Sequence, residues 1–385
     1  MIKKNIYNFS FIILLIVTLT IFLQNFYNEI FLKYLNNPNF FKVFFSDFYL
    51  IYAGSEILNQ GNNPYETWIK LHNSPFFNPP IVFYFFKYLT NFDYLTVIKF
   101  WFLFLMLSFA LIPIILFKIF EINLKKSFIF IFCFGGISLS VFFTGNLSIF
   151  LTTLFAISLF FLNKSKDHYF YLILSFLSLI KFPYLIFFGL PFLINKLKKE
   201  VFINSFLYIS SIIFIYLIFF YFNNELFFSW IDSLKFSKNI GDQGDFGRGL
   251  FKIINSYFFN IQYLNYIIYF LITGSLFIFL IFLFKNSKIL TKKVNKNLAI
   301  ALGIIALSIC LPRLKSYDIL VIIPCLFFVI ESLKFKLPKL NNFFIKLFLF
   351  LTLFCWTSPY APILLCIIIV IIFSIDLKYN FIEKK

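Results

Sequence analysis

Long apolar runs recur from one end of the chain to the other, with short polar connections between them. An α-helix needs roughly 20 apolar residues to cross the bilayer core, and tilted or buried segments need fewer. The pattern therefore predicts an all-α, polytopic membrane bundle with about twelve spans. The predicted spans are 9–26, 95–117, 127–143, 147–163, 168–180, 182–195, 201–222, 263–284, 298–311, 318–333, 342–357 and 362–376.

Two connections, 27–94 and 223–262, are longer than the others. All the other connections are too short to hold a domain, so we predict a single integral-membrane domain over 1–385 with no soluble catalytic module. Within the first connection, the apolar stretch 79–91 is expected to be re-entrant or interfacial. The second contains several glycines and charged residues, which predicts a mobile, solvated loop; a long loop of this kind is often functional.

Composition and charge narrow the class of protein. With 61% hydrophobic and 13% charged residues, the chain falls outside the range of soluble domains, which carry about 25% charged residues. The formal charge of +18 does not predict nucleic-acid binding, because most basic residues fall on alternate connections, as the positive-inside rule requires. We therefore predict a multi-pass protein of the bacterial inner membrane with both termini in the cytoplasm.

Residues that could bind a metal are scarce. All five cysteines lie within apolar runs, where they are expected to be packing residues. His72 and His168 are the only histidines. Asp242 and Asp245 lie close together, but their spacing matches no specific cation motif. The sequence predicts neither a metal nor another cofactor.

The polar features that are hardest to explain structurally fall on the extracytoplasmic side of this topology. Both arginines of the chain, Arg248 and Arg313, are among them. Because a guanidinium can bind two oxygens at once, their position favours a phosphate or carboxylate ligand. The full set is 27–94, Gly145-Asn146, Lys181, 223–262 and 312–318. Such a face indicates either chemistry on a lipid-linked substrate or the vestibule of a transporter.

The spacing of apolar and polar positions over 45–65 predicts a short amphipathic helix on the outer surface. Ser46 or Asp47 would begin this helix, and Gly61 suits a left-handed residue that ends it. Asp47 alone has two interpretations, a helix N-cap or a functional carboxylate. Lys181 also has two, a snorkelling lysine at the membrane interface or a substrate-binding cation.

Six short motifs follow one another along the chain and together resemble glycosyltransferase family 87, a family of integral-membrane enzymes of the GT-C type. The resemblance covers about 45–330. The motifs are Asp47-Phe-Tyr-Leu-Ile-Tyr-Ala, Gly61-Asn-Asn-Pro64-Tyr65, Asn78-Pro79-Pro80, Gly145-Asn146, Leu179-Ile-Lys181-Phe-Pro183 and Leu311-Pro-Arg313-Leu-Lys315-Ser-Tyr-Asp318.

The resemblance implies a GT-C fold, a polyprenyl-phosphate-linked sugar donor and a lipid-linked or glycan acceptor. It also implies that Asp47 is the general base. Arg313 and Lys315 are the first candidates for the donor phosphate and Lys181 the next, with Asp318 orienting Arg313. Further candidates for substrate binding are Tyr49, Tyr52, Asn146 and Arg248.

We therefore expect a membrane hexosyltransferase that moves a hexose, first of all mannose, on the extracytoplasmic face. Two alternatives stay open. A transporter or flippase of lipid-linked saccharides would place ionisable groups at mid-membrane within inverted repeats. An O-antigen polymerase or ligase would share the external cations but not the helix that begins near Asp47.

Overall fold

The computed structural model describes residues 45–121, 129–194, 199–240, 249–257, 262–286, 293–311, 314, 316–333, 339–354 and 360–382. In these ranges all the regular secondary structure is helical, as the apolar pattern predicts. The α-helices are α1 Ser46–Asn59, α2 Pro64–His72, α3 Pro80–Phe86, α4 Tyr94–Phe120, α5 Cys133–Phe143, α6 Ser148–Asn163, α7 Asp167–Ile180, α8 Leu190–Ile194, α9 Lys199–Phe222, α10 Asn224–Ile240, α11 Leu250–Tyr257, α12 Gln262–Asn286, α13 Lys293–Ile309, α14 Ile319–Ser332, α15 Lys339–Phe354 and α16 Ala361–Ile382. Short 3-10 helices are Lys87–Asn91, Ile129–Phe132, Phe182–Gly189 and Ser316–Asp318.

The chain is a helical membrane protein. Among the described residues, three helices are long and apolar enough to cross a bilayer, namely α4, α9 and α12. Helices α5 and α6 meet at an angle of 113° and together form a fourth candidate, either a broken span or a re-entrant loop. The other apolar helices are shorter, so twelve spans remain a prediction, and the predicted span 9–26 lies outside the described residues.

The expected span 182–195 is not one α-helix. Helix α7 ends at Ile180, and the chain then forms the 3-10 helix Phe182–Gly189 before the short helix α8. The predicted break at Lys181 is therefore confirmed. Prolines explain the irregular segment, because Pro183 and Pro191 have no amide hydrogen and Pro191 cannot donate the bond to residue 187 that a continuous α-helix needs.

Helix α1 begins at Ser46, as predicted, and differs from the prediction at its N-cap. Phe48, Ile51 and Ser55 are buried along one face, and Gly61 adopts a left-handed φ of 81° just beyond the helix end. The N-cap, however, is Phe45, which makes no side-chain capping bond. Asp47 instead lies in the first turn, so the interpretation of Asp47 as the helix N-cap is wrong.

The described parts of 223–262 include the helices α10 and α11, so these parts are not the unstructured loop that the polarity of the stretch indicated. Helix α10 packs against the segment before α3 through Trp230 and Ser233, whose side chains donate hydrogen bonds to the carbonyls of Phe77 (3.4 Å) and Phe76 (2.8 Å). Tyr65 and Trp68 join Trp230 in a small hydrophobic core, which we call the outer cluster. Its buried members are Ala53, Tyr65, Trp68, Phe76, Phe83, Leu226 and Trp230.

Candidate active site

The turn between α5 and α6 fixes the start of α1. Gly145 has a φ of 69°, and its carbonyl accepts a hydrogen bond of 3.0 Å from the indole nitrogen of Trp101. The ring of Phe45 occupies the space that a Cβ at Gly145 would need. The amide nitrogen of Asp47 donates to the carbonyl of Thr144 at 3.0 Å. The glycine of the Gly145-Asn146 motif therefore allows both the left-handed turn and the close approach of α1.

The next residue of this turn contacts the predicted base. Asn146 Nδ2 donates to Asp47 Oδ2 at 2.7 Å, a distance typical of a hydrogen bond to a charged acceptor. Asn146 Oδ1 accepts from the amide nitrogen of Ser148 at 2.8 Å. Because an amide nitrogen can only donate, this second bond determines which atom of the Asn146 amide is oxygen.

Lys181 is held by three neighbours. Its Nζ forms an ion pair with Asp318, donates to Ser148 Oγ at 3.3 Å and lies 4.0 Å from the centre of the Tyr317 ring. The side chains of Lys181 and Asp318 are only 20% and 11% exposed. Such burial, with specific partners, is unlike a lysine that extends freely into the interface.

Hydrogen bonds thus connect the predicted base to a cation. They run from Asp47 to Asn146, on to Ser148, then to Lys181 and finally to Asp318. These residues come from four separate segments of the chain. We call this arrangement the Asp47–Asp318 network.

A cavity of about 210 Å³ lies against this network. Polar groups of Asn146, Ser148, Lys181 and Asp318 line one part of it. Aromatic and aliphatic side chains line the rest, and they include Phe182, which is 37% exposed. The other lining residues are Phe77, Asn78, Pro79, Leu147, Leu151, Ile180, Pro183, Trp230, Leu234 and Tyr317. Four of the six motifs therefore reach one cavity.

A fifth motif supports the wall of this cavity. Asn63 caps α2 by accepting a hydrogen bond of 3.1 Å from the amide nitrogen of Tyr65, and Pro64 begins the helix. The hydroxyl of Tyr65 donates to the carbonyl of Asn78 at 2.7 Å. Burial raises the pKa of Tyr65 well above its ordinary value, so this hydroxyl stays protonated and remains a donor.

Tyr49 and Tyr52 lie away from the lining of this cavity. The hydroxyl of Tyr52 donates to the carbonyl of Phe92 at 2.8 Å, and the ring of Tyr49 packs against Trp68 and Tyr94. These contacts are with residues from α2 to the start of α4.

The expected site residues Arg248, Arg313 and Lys315 lie outside the described residues, and so do Asp242 and Asp245. The expected pairing of Asp318 with Arg313 lies outside them as well. Within the described ranges, Asp318 pairs with Lys181, a contact that the sequence did not indicate.

Ser148, Tyr317 and Trp230 were not chosen as site residues from the sequence. Ser148 follows Asn146 by two residues and Tyr317 lies inside the last motif, so both positions carried an available signal. Trp230 lies in the stretch that was expected to be a loop. No comparable sequence signal marked it.

Comparison with known families agrees with the motifs. The family model described as glycosyltransferase family 87 matches residues 76–318. This range contains Asn78, Asn146, Lys181 and Asp318, and it begins after Asp47. Neither the comparison with curated proteins nor that with solved structures finds a match.

Proposed function

The chain belongs to glycosyltransferase family 87, and on that premise we propose that it moves a hexose from a polyprenyl-phosphate-linked donor to a lipid-linked or envelope acceptor. Mannose is the first candidate sugar. The observation that carries this proposal is the Asp47–Asp318 network, which connects the Asp47 carboxylate through Asn146 to the cavity that Lys181 lines. Family membership also favours an enzyme over the transporter alternative.

The proposed reaction assigns one task to Asp47 and another to Lys181. The acceptor hydroxyl oxygen attacks the anomeric carbon of the donor and transfers its proton to Asp47, the general base. The bond between the anomeric carbon and the phosphate oxygen breaks, and its electron pair leaves with the phosphate. Lys181 stabilises the negative charge that grows on this leaving group. Displacement from the opposite face inverts the anomeric configuration.

A single phosphodiester carries less charge than the diphosphate of a nucleotide sugar. We therefore propose that fixed cations of the protein stabilise it without a metal ion. Among the described residues that line the cavity, Lys181 is the cation that we assign to this task. Arg313 and Lys315 are close to Asp318 in sequence and remain candidates for the same task.

We place this site on the extracytoplasmic side because of the charge distribution. Lys296, from a cytoplasmic cluster, donates to the carbonyls of Leu162 and Asn163 at 2.9 and 3.0 Å. These carbonyls adjoin Lys164 and Lys166, which the positive-inside rule also assigns to the cytoplasm. A lipid-linked donor would reach the site laterally from the outer leaflet.

Incubation of the purified protein with radiolabelled polyprenyl-phosphate-mannose and a membrane lipid extract tests the proposal. We expect label to move into a new lipid or glycan product, and to move far more slowly with Asp47→Asn. Transfer from polyprenyl-phosphate-glucose alone would change the sugar. Transfer from a nucleotide sugar alone would overturn the proposed donor.

A further inference from the structure

Asn146 has the geometry of a residue that orients the base. We propose that Asn146 is a positioning residue, which holds the Asp47 carboxylate in the orientation that accepts the proton of the acceptor hydroxyl. The inference rests on the proposed function, because it assumes that Asp47 is the general base. It differs from the sequence-based expectation that Asn146 binds substrate.

The first argument is that the Asn146 amide is fixed at both of its polar atoms. Ser148 holds Oδ1 through its backbone amide at 2.8 Å, and Nδ2 donates to Asp47 Oδ2 at 2.7 Å. A donor anchored by the backbone in this way cannot turn without losing a hydrogen bond. The bond uses Oδ2 of Asp47, so Oδ1 is the oxygen that we assign to proton transfer.

The second argument is that helix α1 does not hold Asp47 by itself. Its N-cap makes no side-chain hydrogen bond. The backbone of Asp47 is instead bonded to Thr144, and Gly145 of the same turn is fixed by Trp101. The turn 144–146 therefore holds the main chain and the side chain of Asp47 together.

The third argument concerns magnitude. A free aspartate samples several staggered rotamers, and a misplacement of about 1 Å at a reacting group can lower the rate about 100-fold. Loss of the Asn146 donor should therefore act mainly on turnover. A residue that bound substrate directly would instead change KM as well.

Kinetics of Asn146→Ala, Asn146→Asp and Asn146→Gln test this proposal in the full-length protein. Asn146→Ala loses the amide donor, so we expect kcat to fall about 10- to 100-fold with little change in KM. The isosteric Asn146→Asp also loses the donor and places a second carboxylate against Asp47, so its kcat should fall at least as far. Asn146→Gln keeps an amide on a longer side chain and should recover part of that loss. If Asn146→Ala does not fold, the isosteric variant replaces it in the comparison.

A matched control comes from the other end of the same helix. Asn59 Nδ2 donates to Thr90 Oγ1 at 3.1 Å on the exposed surface. Asn59→Ala therefore also removes one asparagine hydrogen bond from α1, but far along the helix from Asp47. We expect its kcat and KM to stay at wild-type values.

Combination with Asp47→Asn gives the deciding result. If Asn146 acts through Asp47, then Asn146→Ala should change kcat very little once Asp47 is already Asn. A full additional loss in the double variant, or a raised KM with unchanged kcat in Asn146→Ala, would overturn the positioning role. Wild-type turnover in Asp47→Asn alone would instead refute the proposed base, so the two failures are distinguishable.

Discussion

Variants of the Lys181–Asp318 pair should separate catalysis from stability. Lys181 is the cation that we assign to the leaving phosphate, and Asp318 is its ion-pair partner. Three variants are informative, namely Lys181→Ala, Asp318→Ala and the two combined. If the pair serves only to hold the segments together, turnover and stability should change in parallel. If Lys181 also stabilises the transition state, turnover should fall in variants whose stability is largely restored.

The magnitudes follow from burial and from the charge that develops. Lys181→Ala leaves a carboxylate that is only 11% exposed without this cation, which should lower the free energy of unfolding by about 1–3 kcal/mol. Replacing both residues removes both charges, so the loss should be smaller. Removing a donor that stabilises the developing charge costs about 3–4 kcal/mol at the barrier, or roughly 100- to 1000-fold in kcat.

The assay pairs transfer of labelled sugar with thermal unfolding in the same detergent. We expect the double variant to regain much of the stability that Lys181→Ala loses, while its turnover stays low. A double variant that regains turnover together with stability would refute the cationic role and leave Lys181 as a structural brace. Lys70→Ala is the control, because Lys70 forms an exposed pair with Glu66 at 4.0 Å and should change neither quantity.

Three further predictions concern the base, the topology and the packing of α1. Asp47→Asn should lower turnover by about 10²- to 10⁴-fold with little change in thermal stability, and near-normal transfer would exclude Asp47 as the base. In intact cells a membrane-impermeant thiol reagent should label Asn62→Cys but not Lys164→Cys, both at exposed positions; the reverse pattern would invert the topology. Gly54→Ala places a Cβ against the ring of Phe83, so it should lower the free energy of unfolding by about 1–3 kcal/mol, and an unchanged denaturation midpoint would contradict this packing.

Features set by local chemistry could be predicted from the sequence. The extent of α1 and its end before Gly61 follow from apolar spacing and from the conformational freedom of glycine. The break at Lys181 follows from the prolines beyond it. Grouping the polar motifs on one face also anticipated that Asn146, Lys181 and Asp318 would line one cavity.

Features that depend on distant partners could not be predicted. Asn63 and Ser229 form a hydrogen bond of 2.8 Å, although 166 positions separate them in the sequence. Contacts of this kind hold helix α10 against the rest of the protein, where the local sequence predicted a loop. The buried face of α10 is short, so its polar exterior dominates the local composition. Nothing in the sequence indicated that Lys181 pairs with Asp318, because the two residues are 137 positions apart.

The outer cluster has a consequence for how specificity can change during evolution. Helix α10 supplies Trp230 and Leu234 to the cavity, yet it is anchored by a hydrophobic core separate from the large core of the bundle. Substitutions of Trp230 or Leu234 can therefore change the shape of the cavity while the Asp47–Asp318 network keeps its geometry. For the function proposed above, a change of acceptor preference through α10 would require no change in the residues of the network.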